Sequence, residues 1–168
     1  MVENNRILVV DDEISIQKIF QRILSPPLKT DVLSQGAVLF GETHEQPDEA
    51  IRKRFVLTLV DCGLDGIKAV EAAMIKKQPF ALAFIDLGLE GIDGVETARQ
   101  IWEADPNIKI VFATGSIYFD PENIYRATGR NDFFHLKKPF SIKEVKEIAQ
   151  ALTQQWADEQ KRRENQNV

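Results

Sequence analysis

Short runs of apolar residues alternate along the chain with segments in which apolar residues recur at the spacing of a helix. Unbroken apolar runs of this length predict strands that are covered on both faces, as in a parallel sheet. The alternation of strand and helix predicts a doubly wound α/β domain with five strands and helices on both faces of the sheet. The predicted strands lie at residues 7–10, 55–60, 80–85, 108–113 and, more weakly, 133–136.

Four of the intervening helices carry start signals in the sequence. An acidic or hydroxyl side chain can accept a hydrogen bond from a free backbone N–H of the first turn, and proline fits the first helical position. Asp65 is predicted to cap a helix that runs from Gly66 to about Lys77. The other three signals are Asp93 with Glu96, Asp120 with Pro121, and Ser141 with Glu144.

The connection between the first helix and the second strand is unusually long. Such connections usually take about 2–6 residues, whereas this one occupies residues 26–54. We predict an insertion here with a short helix of its own, and a floppy loop is the alternative. The apolar run at residues 37–40 argues against complete disorder.

The last helix is predicted to continue beyond the domain. Its apolar stripe extends from Ile142 to Trp156, and the residues after it are polar and highly charged. We therefore place the domain at residues 1–150. Residues 151–168 are predicted to form a C-terminal helix extension or a linker.

Composition narrows the classes of function. The formal net charge of −5 does not fit a protein with a broad basic surface for nucleic acid. The single cysteine, Cys62, excludes an intramolecular disulfide and fits a reducing compartment. No apolar stretch reaches the roughly 18 residues of a membrane span. We expect a cytoplasmic protein that binds neither nucleic acid nor membrane directly.

Residues with reactive or metal-binding side chains follow four of the predicted strands. Asp11 and Asp12 follow the first, Asp86 the third, Thr114 the fourth and Lys138 the fifth. Ligands of open parallel sheets bind outside the carboxyl ends of the strands. The sequence therefore predicts three acids, a hydroxyl and an amine at one edge of the sheet.

This set of side chains suits phosphoryl transfer. Clustered carboxylates raise one another's pKa unless a cation neutralises them. Oxygen ligands without cysteine or histidine favour Mg²⁺ or Mn²⁺ over zinc. A carboxylate beside such a metal can attack a phosphoryl donor and form an aspartyl phosphate. The metal and a lysine would neutralise the phosphoryl oxygens, and a threonine hydroxyl could donate to one of them.

Four motifs in this order resemble the receiver domain of two-component response regulators, a CheY-like superfamily. The motifs are ILVVDDE at 7–13, FIDL at 84–87 with Asp93-Gly94 following, VFATG at 111–115, and KPF at 138–140. The resemblance implies a flavodoxin-like fold with strand order 2-1-3-4-5. It covers the chain apart from the insertion and the last dozen or so residues.

The resemblance also implies a role for each matching residue. Asp86 corresponds to the phosphoacceptor, Asp12 to the main metal ligand, and Asp11 to the second acid, often acting through water. The backbone carbonyl of Gly88 corresponds to a further metal ligand, Thr114 to the switch hydroxyl, and Lys138 to the lysine that pairs with the phosphoryl group. Pro139 corresponds to a proline that commonly follows through a cis bond.

The implied function is that of a switch rather than an enzyme acting on other substrates. A sensor histidine kinase or a phosphotransfer protein would supply the phosphoryl group, and Mg²⁺, or alternatively Mn²⁺, would be the cofactor. The fourth helix, fifth strand and last helix would signal to an output domain or protein partner. A homodimer through the last two helices is left open.

Three residues depart from the family's pattern. His135 stands where a switching Tyr or Phe is usual, and imidazole titrates near neutral pH. Leu89-Glu90 stands where Met-Pro is usual, in a loop that begins with Gly88. These departures leave open a receiver fold that serves as a non-switching interaction module.

Two further alternatives concern the aspartates. Asp11 and Asp12 could simply cap the first helix. A dehalogenase-type Mg²⁺ phosphohydrolase also uses an aspartate nucleophile, but it carries D-x-D on its first strand, where this chain has adjacent aspartates.

Overall fold

The computed structural model describes residues 4–26, 54–115 and 119–166. The strands are β1 (Arg6–Val10), β2 (Val56–Val60), β3 (Leu82–Ile85), β4 (Lys109–Thr114) and β5 (Phe133–Lys137). The helices are α1 (Ile14–Leu24), α2 (Gly63–Ile75), α3 (Gly94–Ala104), α4 (Pro121–Thr128) and α5 (Ile142–Gln166).

The five strands form one parallel sheet in the order β2-β1-β3-β4-β5. Successive side chains of a strand point to opposite faces, and both faces are covered here. Ile7 and Val9 of β1 pack in a core with α1 and α5, whereas Leu8 and Val10 pack in a second core with α2, α3 and α4. The predicted fold class and strand order are confirmed.

Three of the four predicted helix starts are confirmed. The side chain of Asp93 accepts from the backbone N–H of Glu96 at 2.8 Å, and Asp120 caps α4 ahead of Pro121. Ser141 and Glu144 exchange side-chain and backbone hydrogen bonds at 2.7 and 3.1 Å, which is a complete capping box.

The predicted start of α2 at Asp65 is wrong. The helix begins at Gly63 after Cys62, whose side chain makes no capping hydrogen bond. Packing against α3 explains the earlier start, because a Cβ on Gly63 would lie 2.1 Å from Thr97 Oγ1. The helix therefore begins where glycine permits close approach rather than where a capping side chain is available.

The insertion between the first helix and the second strand is confirmed by the length of the connection. Helix α1 ends at Leu24 and β2 begins at Val56. Residues 27–53 lie outside the described residues, and so does the short helix predicted within them.

Helix α5 continues past residue 150 without a break. Trp156 and Ala157 are buried and pack with Ala81, whereas Ile142, at the start of the predicted stripe, is 61% exposed. Ile142 therefore belongs to the apolar pattern of the sequence but lies outside the packed face of the helix. The division of the chain at residue 150 stays a prediction. None of the helices in the described ranges is long and apolar enough to span a membrane.

Candidate functional site

Three carboxylates meet at the carboxyl edge of the sheet. Asp11 and Asp12 follow β1, and Asp86 follows the neighbouring strand β3. One oxygen from each of the three lies within 4.8 Å of the other two. Asp11 is 1% exposed and Asp86 is 8% exposed, whereas Asp12 is exposed. The parallel register of β1 and β3 therefore brings together the acids that the sequence placed at strand ends.

Lys138 points into this cluster from the end of β5. Its Nζ donates to Asp11 Oδ2 at 2.7 Å and lies 3.6 Å from Asp86 Oδ2 and 3.8 Å from Glu13 Oε1. Its side chain is 12% exposed, whereas Lys137 is exposed. The Lys138–Pro139 bond is cis, as predicted. One ammonium therefore faces several carboxylates, and the cluster keeps an excess of negative charge.

Burial raises the pKa of Asp11. Hydrogen bonds from Lys138 and from the backbone N–H of Glu13 oppose that rise, and the nearby Asp86 carboxylate adds to it. The charged form of Asp11 is therefore disfavoured unless a further cation is present. Three carboxylates with no sulfur or imidazole ligand fit Mg²⁺, a hard cation that prefers oxygen ligands.

The aspartates after β1 do not cap α1. The N-cap residue of that helix is Glu13, which makes no side-chain capping hydrogen bond. Asp11 instead accepts from the backbone N–H of Glu13 at 2.9 Å through Oδ1. The alternative interpretation of Asp11 and Asp12 as simple caps is therefore wrong.

The loop after Asp86 brings the start of α3 against the backbone of Asp86. A Cβ on Gly94 would lie 2.1 Å from the Asp86 carbonyl oxygen, so only glycine fits there. A Cβ on Gly88 would lie 3.6 Å from Asp86 Oδ2, which puts Gly88 beside the carboxylate. The predicted metal-binding role of the Gly88 carbonyl stays a prediction.

Thr114 and His135 occupy different surroundings. Thr114, 2% exposed at the end of β4, accepts at its carbonyl from Lys138 N at 3.0 Å. The His135 ring lies outside the carboxylate cluster and stacks on Phe119, with centroids 3.9 Å apart and planes 7° from parallel. Burial lowers the pKa of His135, and Lys137 lowers it further. The switch roles of Thr114 and His135 stay predictions.

Three residues around the site were given no role from the sequence alone. Glu13 adds a carboxylate near Lys138, Phe119 provides the surface on which His135 stacks, and Gln17 donates to the backbone at the ends of β1 and β2. The one sequence signal for Phe119 was its position as an aromatic residue directly before the helix cap at Asp120. The contacts of Gln17 depend on two strands and leave no local pattern.

A second group of possible ligand atoms lies at the end of β2. Asp61, Cys62 and Asp65 also come within 4.8 Å of one another. Both aspartates are exposed, and Asp65 pairs with Lys68 at 3.5 Å. The Asp86 cluster differs from this group because two of its acids, Asp11 and Asp86, are buried.

Comparison with known proteins identifies the family. Residues 51–150 match the family model described as response regulator receiver domain. The chain belongs to this family. Within the matched range lie Asp86, Thr114 and Lys138, whereas Asp11 and Asp12 of this receiver domain precede it. The structure nevertheless brings those two aspartates into the same cluster.

Solved structures of other proteins show a similar fold. A receiver domain protein (CheY-like) from Methanospirillum hungatei is 18% identical with a TM-score of 0.65, covering 93% of this chain and 98% of that chain. An adenylate cyclase structure from Rhodopirellula baltica is 21% identical with a TM-score of 0.68 and covers 98% of both chains.

A third neighbour is the response regulator protein TrrA from Thermotoga maritima in complex with Mg(2+)-BeF. It is 20% identical with a TM-score of 0.56, and the match covers 88% of this chain and 98% of that chain. At these identities the likeness shows the fold of the receiver domain. No curated protein matched the sequence.

Proposed function

We propose that this receiver domain accepts a phosphoryl group on Asp86 from a histidine kinase or a phosphotransfer protein, with Mg²⁺ as cofactor. The observation that carries the proposal is the cluster of three carboxylates with Lys138 at the carboxyl edge of the sheet. A cytoplasmic location, expected from the sequence, belongs to the same proposal.

Four groups of this chain would hold the metal. They are the carboxylates of Asp11, Asp12 and Asp86 and the backbone carbonyl of Gly88. When bound, Mg²⁺ would neutralise the excess of carboxylate charge and the charge on the transferred phosphoryl oxygens. TrrA, a neighbour of similar fold, was crystallised as a Mg(2+)-BeF complex, and this supports the choice of metal.

The transfer itself needs little from the protein beyond positioning and charge. A carboxylate oxygen of Asp86 attacks the phosphorus, a new O–P bond forms, and the N–P bond to the donor histidine breaks. Lys138, 3.6 Å from Asp86 Oδ2, needs only a short movement to pair with a phosphoryl oxygen. The hydroxyl of Thr114 would donate to another. The domain would catalyse its own phosphorylation and the hydrolysis of the resulting acyl phosphate, and no other reaction.

The proposed switch passes through the loop between β4 and α4. Thr114 is the last residue of β4 before this loop, Phe119 precedes the helix cap at Asp120, and Ser116 lies outside the described residues. Movement of Thr114 toward the phosphoryl group would displace Phe119 and release the His135 ring. Tyr125 on α4 and Phe134 on β5 are 52% and 41% exposed, so the α4–β5–α5 face offers apolar surface to an output domain or partner.

Intact-protein mass spectrometry tests the proposal. The protein is incubated with Mg²⁺ and a small-molecule phosphodonor, and we expect the wild type to gain one phosphoryl group. Asp86→Asn should gain none, whereas Asp61→Asn, which removes an acid from the other group, should behave as wild type. Equal labelling of wild type and Asp86→Asn would refute the proposal.

A non-switching interaction module is the second candidate function. It is favoured by His135 at the position of the usual switch aromatic and by its stacking on Phe119. In that case, phosphorylation would leave the amide signals of residues 119–128 unchanged in a heteronuclear NMR spectrum. Multiple turnover on phosphate monoesters would instead indicate a phosphohydrolase.

A further inference from the structure

Gln17 ties together the ends of two strands at the candidate site. Its side-chain Nε2 donates to the carbonyl of Asp11 at 2.7 Å and to the carbonyl of Val60 at 3.1 Å. Both partners are acceptors, so the amide nitrogen, and not the amide oxygen, must face them. The Val60 carbonyl also accepts from the backbone N–H of Asp11 at 3.1 Å. Gln17 thereby supplements the last hydrogen bond between β1 and β2.

The first of these contacts fixes the peptide from which Asp12 extends. The carbonyl of Asp11 belongs to the peptide group that joins Asp11 to Asp12, and a planar peptide held at its oxygen has little freedom to rotate. Asp12 is exposed, and among the described residues its side chain makes no hydrogen bond or ion pair. The orientation of the Asp11–Asp12 peptide therefore sets the direction in which the Asp12 side chain leaves the backbone.

We propose that Gln17 is a positioning residue for the divalent metal, which acts by holding the Asp11–Asp12 peptide in the orientation that aims Asp12 at the cluster. This inference rests on the proposed function, because it assumes that Asp12 is a metal ligand. Gln17 is not among the proposed metal ligands, and its amide nitrogen is engaged with two carbonyls. Loss of a partner that orients a metal ligand typically weakens metal binding by about 10–100-fold.

The decisive variant is Gln17→Met, which keeps an unbranched side chain of similar length but removes the donor. Gln21→Met is the matched control, because Gln21 lies one turn further along α1, is exposed, and makes no side-chain hydrogen bond with the described residues. Gln17→Asn serves as a second variant, since it retains the amide but is one methylene too short to reach both carbonyls.

Two measurements on the intact chain separate positioning from general damage. The amide signal of Asp12 in a ¹⁵N-correlated NMR spectrum without metal reports directly on the Asp11–Asp12 peptide. A Mg²⁺ titration without any phosphodonor then gives the affinity. We expect both Gln17 variants to shift the Asp12 signal and to bind Mg²⁺ about tenfold more weakly than wild type, at the low end of that range. Gln21→Met should match wild type in both.

Each contrary result has a distinct meaning. An Asp12 signal that does not move in Gln17→Met, or a shifted signal with wild-type Mg²⁺ affinity, overturns the positioning role while leaving the proposed function intact. A wild type that binds no Mg²⁺ overturns both. If Gln17→Met is unfolded, as dispersion of the same spectrum would reveal, the outcome for Gln17→Asn decides.

Discussion

A buried lysine pairs with carboxylate at each edge of the sheet, but the two edges differ in the number of carboxylates around that lysine. At the amino edge, Lys109 is 8% exposed and donates from Nζ to both oxygens of Glu159 at 2.7 Å. At the carboxyl edge, Lys138 faces Asp11, Asp86 and Glu13 at once. Among the described residues, Lys109 therefore lies within 4 Å of one carboxylate, whereas Lys138 lies within 4 Å of three.

The pKa values follow the same contrast. Burial raises the pKa of Glu159, but hydrogen bonds from Lys109 and Gln155 outweigh this effect, and the pKa lies below its usual value. Burial raises the pKa of Asp11, and the hydrogen bond from Lys138 does not overcome it. The protein thus neutralises its own charge at the amino edge, whereas the carboxyl edge keeps an excess of negative charge. Such uncompensated charge is typical of functional sites.

The largest expected effect comes from breaking the balanced pair. Glu159→Ala leaves the buried Lys109 ammonium without its partner, and we expect the free energy of unfolding to fall by about 3 kcal/mol, the low end for buried pairs. Lys109→Met should lower the free energy of unfolding by less, because the Glu159 side chain is 29% exposed and can be hydrated. Urea denaturation measures both.

The exposed pair of Glu122 and Arg126 on α4 provides the control for this prediction. Glu122→Ala should leave stability nearly unchanged, because exposed pairs are screened by solvent. A loss in Glu159→Ala no larger than in Glu122→Ala would show that the amino-edge pair does not contribute to stability.

At the carboxyl edge we expect a substitution to raise the free energy of unfolding rather than to lower it. Asp86→Asn removes one charge from the acidic cluster, and we expect it to raise the free energy of unfolding by about 1 kcal/mol without metal, as is common for neutralised functional sites. Added Mg²⁺ should stabilise wild type but not the variant. Urea denaturation with chelator and with Mg²⁺ measures this. A variant less stable than wild type in chelator would contradict the charge imbalance.

Asp105 offers a smaller test near the amino edge. Its Oδ2 is buried without a hydrogen-bond partner among the described residues, and burial raises its pKa despite backbone hydrogen bonds from Asn107 and Ile108. A carboxyl group with a raised folded pKa favours folding most below its unfolded pKa, and that stability is lost as the pH rises through the folded value.

Asp105→Asn should therefore be more stable than wild type at pH 7, by about 0.5–1 kcal/mol. The gain should shrink toward pH 3, where the wild-type carboxyl group is protonated in both states. Denaturation at the two pH values measures the difference. An equal gain at both would show that charge is not the cause.

The smallest effect concerns the contact between His135 and Phe119. Phe119→Leu removes the stacked ring, and we expect the pKa of His135 to rise toward its ordinary value. Because the folded pKa is lowered, the contribution of His135 to stability is fully present above the unfolded pKa and is lost as the pH falls through the folded pKa. An NMR titration of the imidazole measures the change. Phe134→Leu is the control, and an equal pKa in all three proteins would remove Phe119 from the proposed switch.

Local signals predicted much of this architecture, and they failed where distant packing decided the outcome. The caps at Asp93, Asp120 and Ser141 were predicted because each one lies within a few residues of the N–H groups that it accepts from. The start of α2 at Gly63 was missed because it depends on Thr97, in another helix. The roles assigned to Asp86, Thr114 and Lys138 stay predictions until the phosphorylation experiment is done.

Local patterns along the chain were enough to predict the five strands, their parallel pairing and the acids and lysine at their ends. Apolar runs and strand-end residues are local properties, and a parallel sheet aligns them at one edge. The pairing of Lys109 with Glu159, the bridge from Gln17 to two strands, and the stacking of His135 on Phe119 became visible only once the chain was folded. These contacts join residues from different elements, and their geometry depends on helix packing that no local pattern encodes.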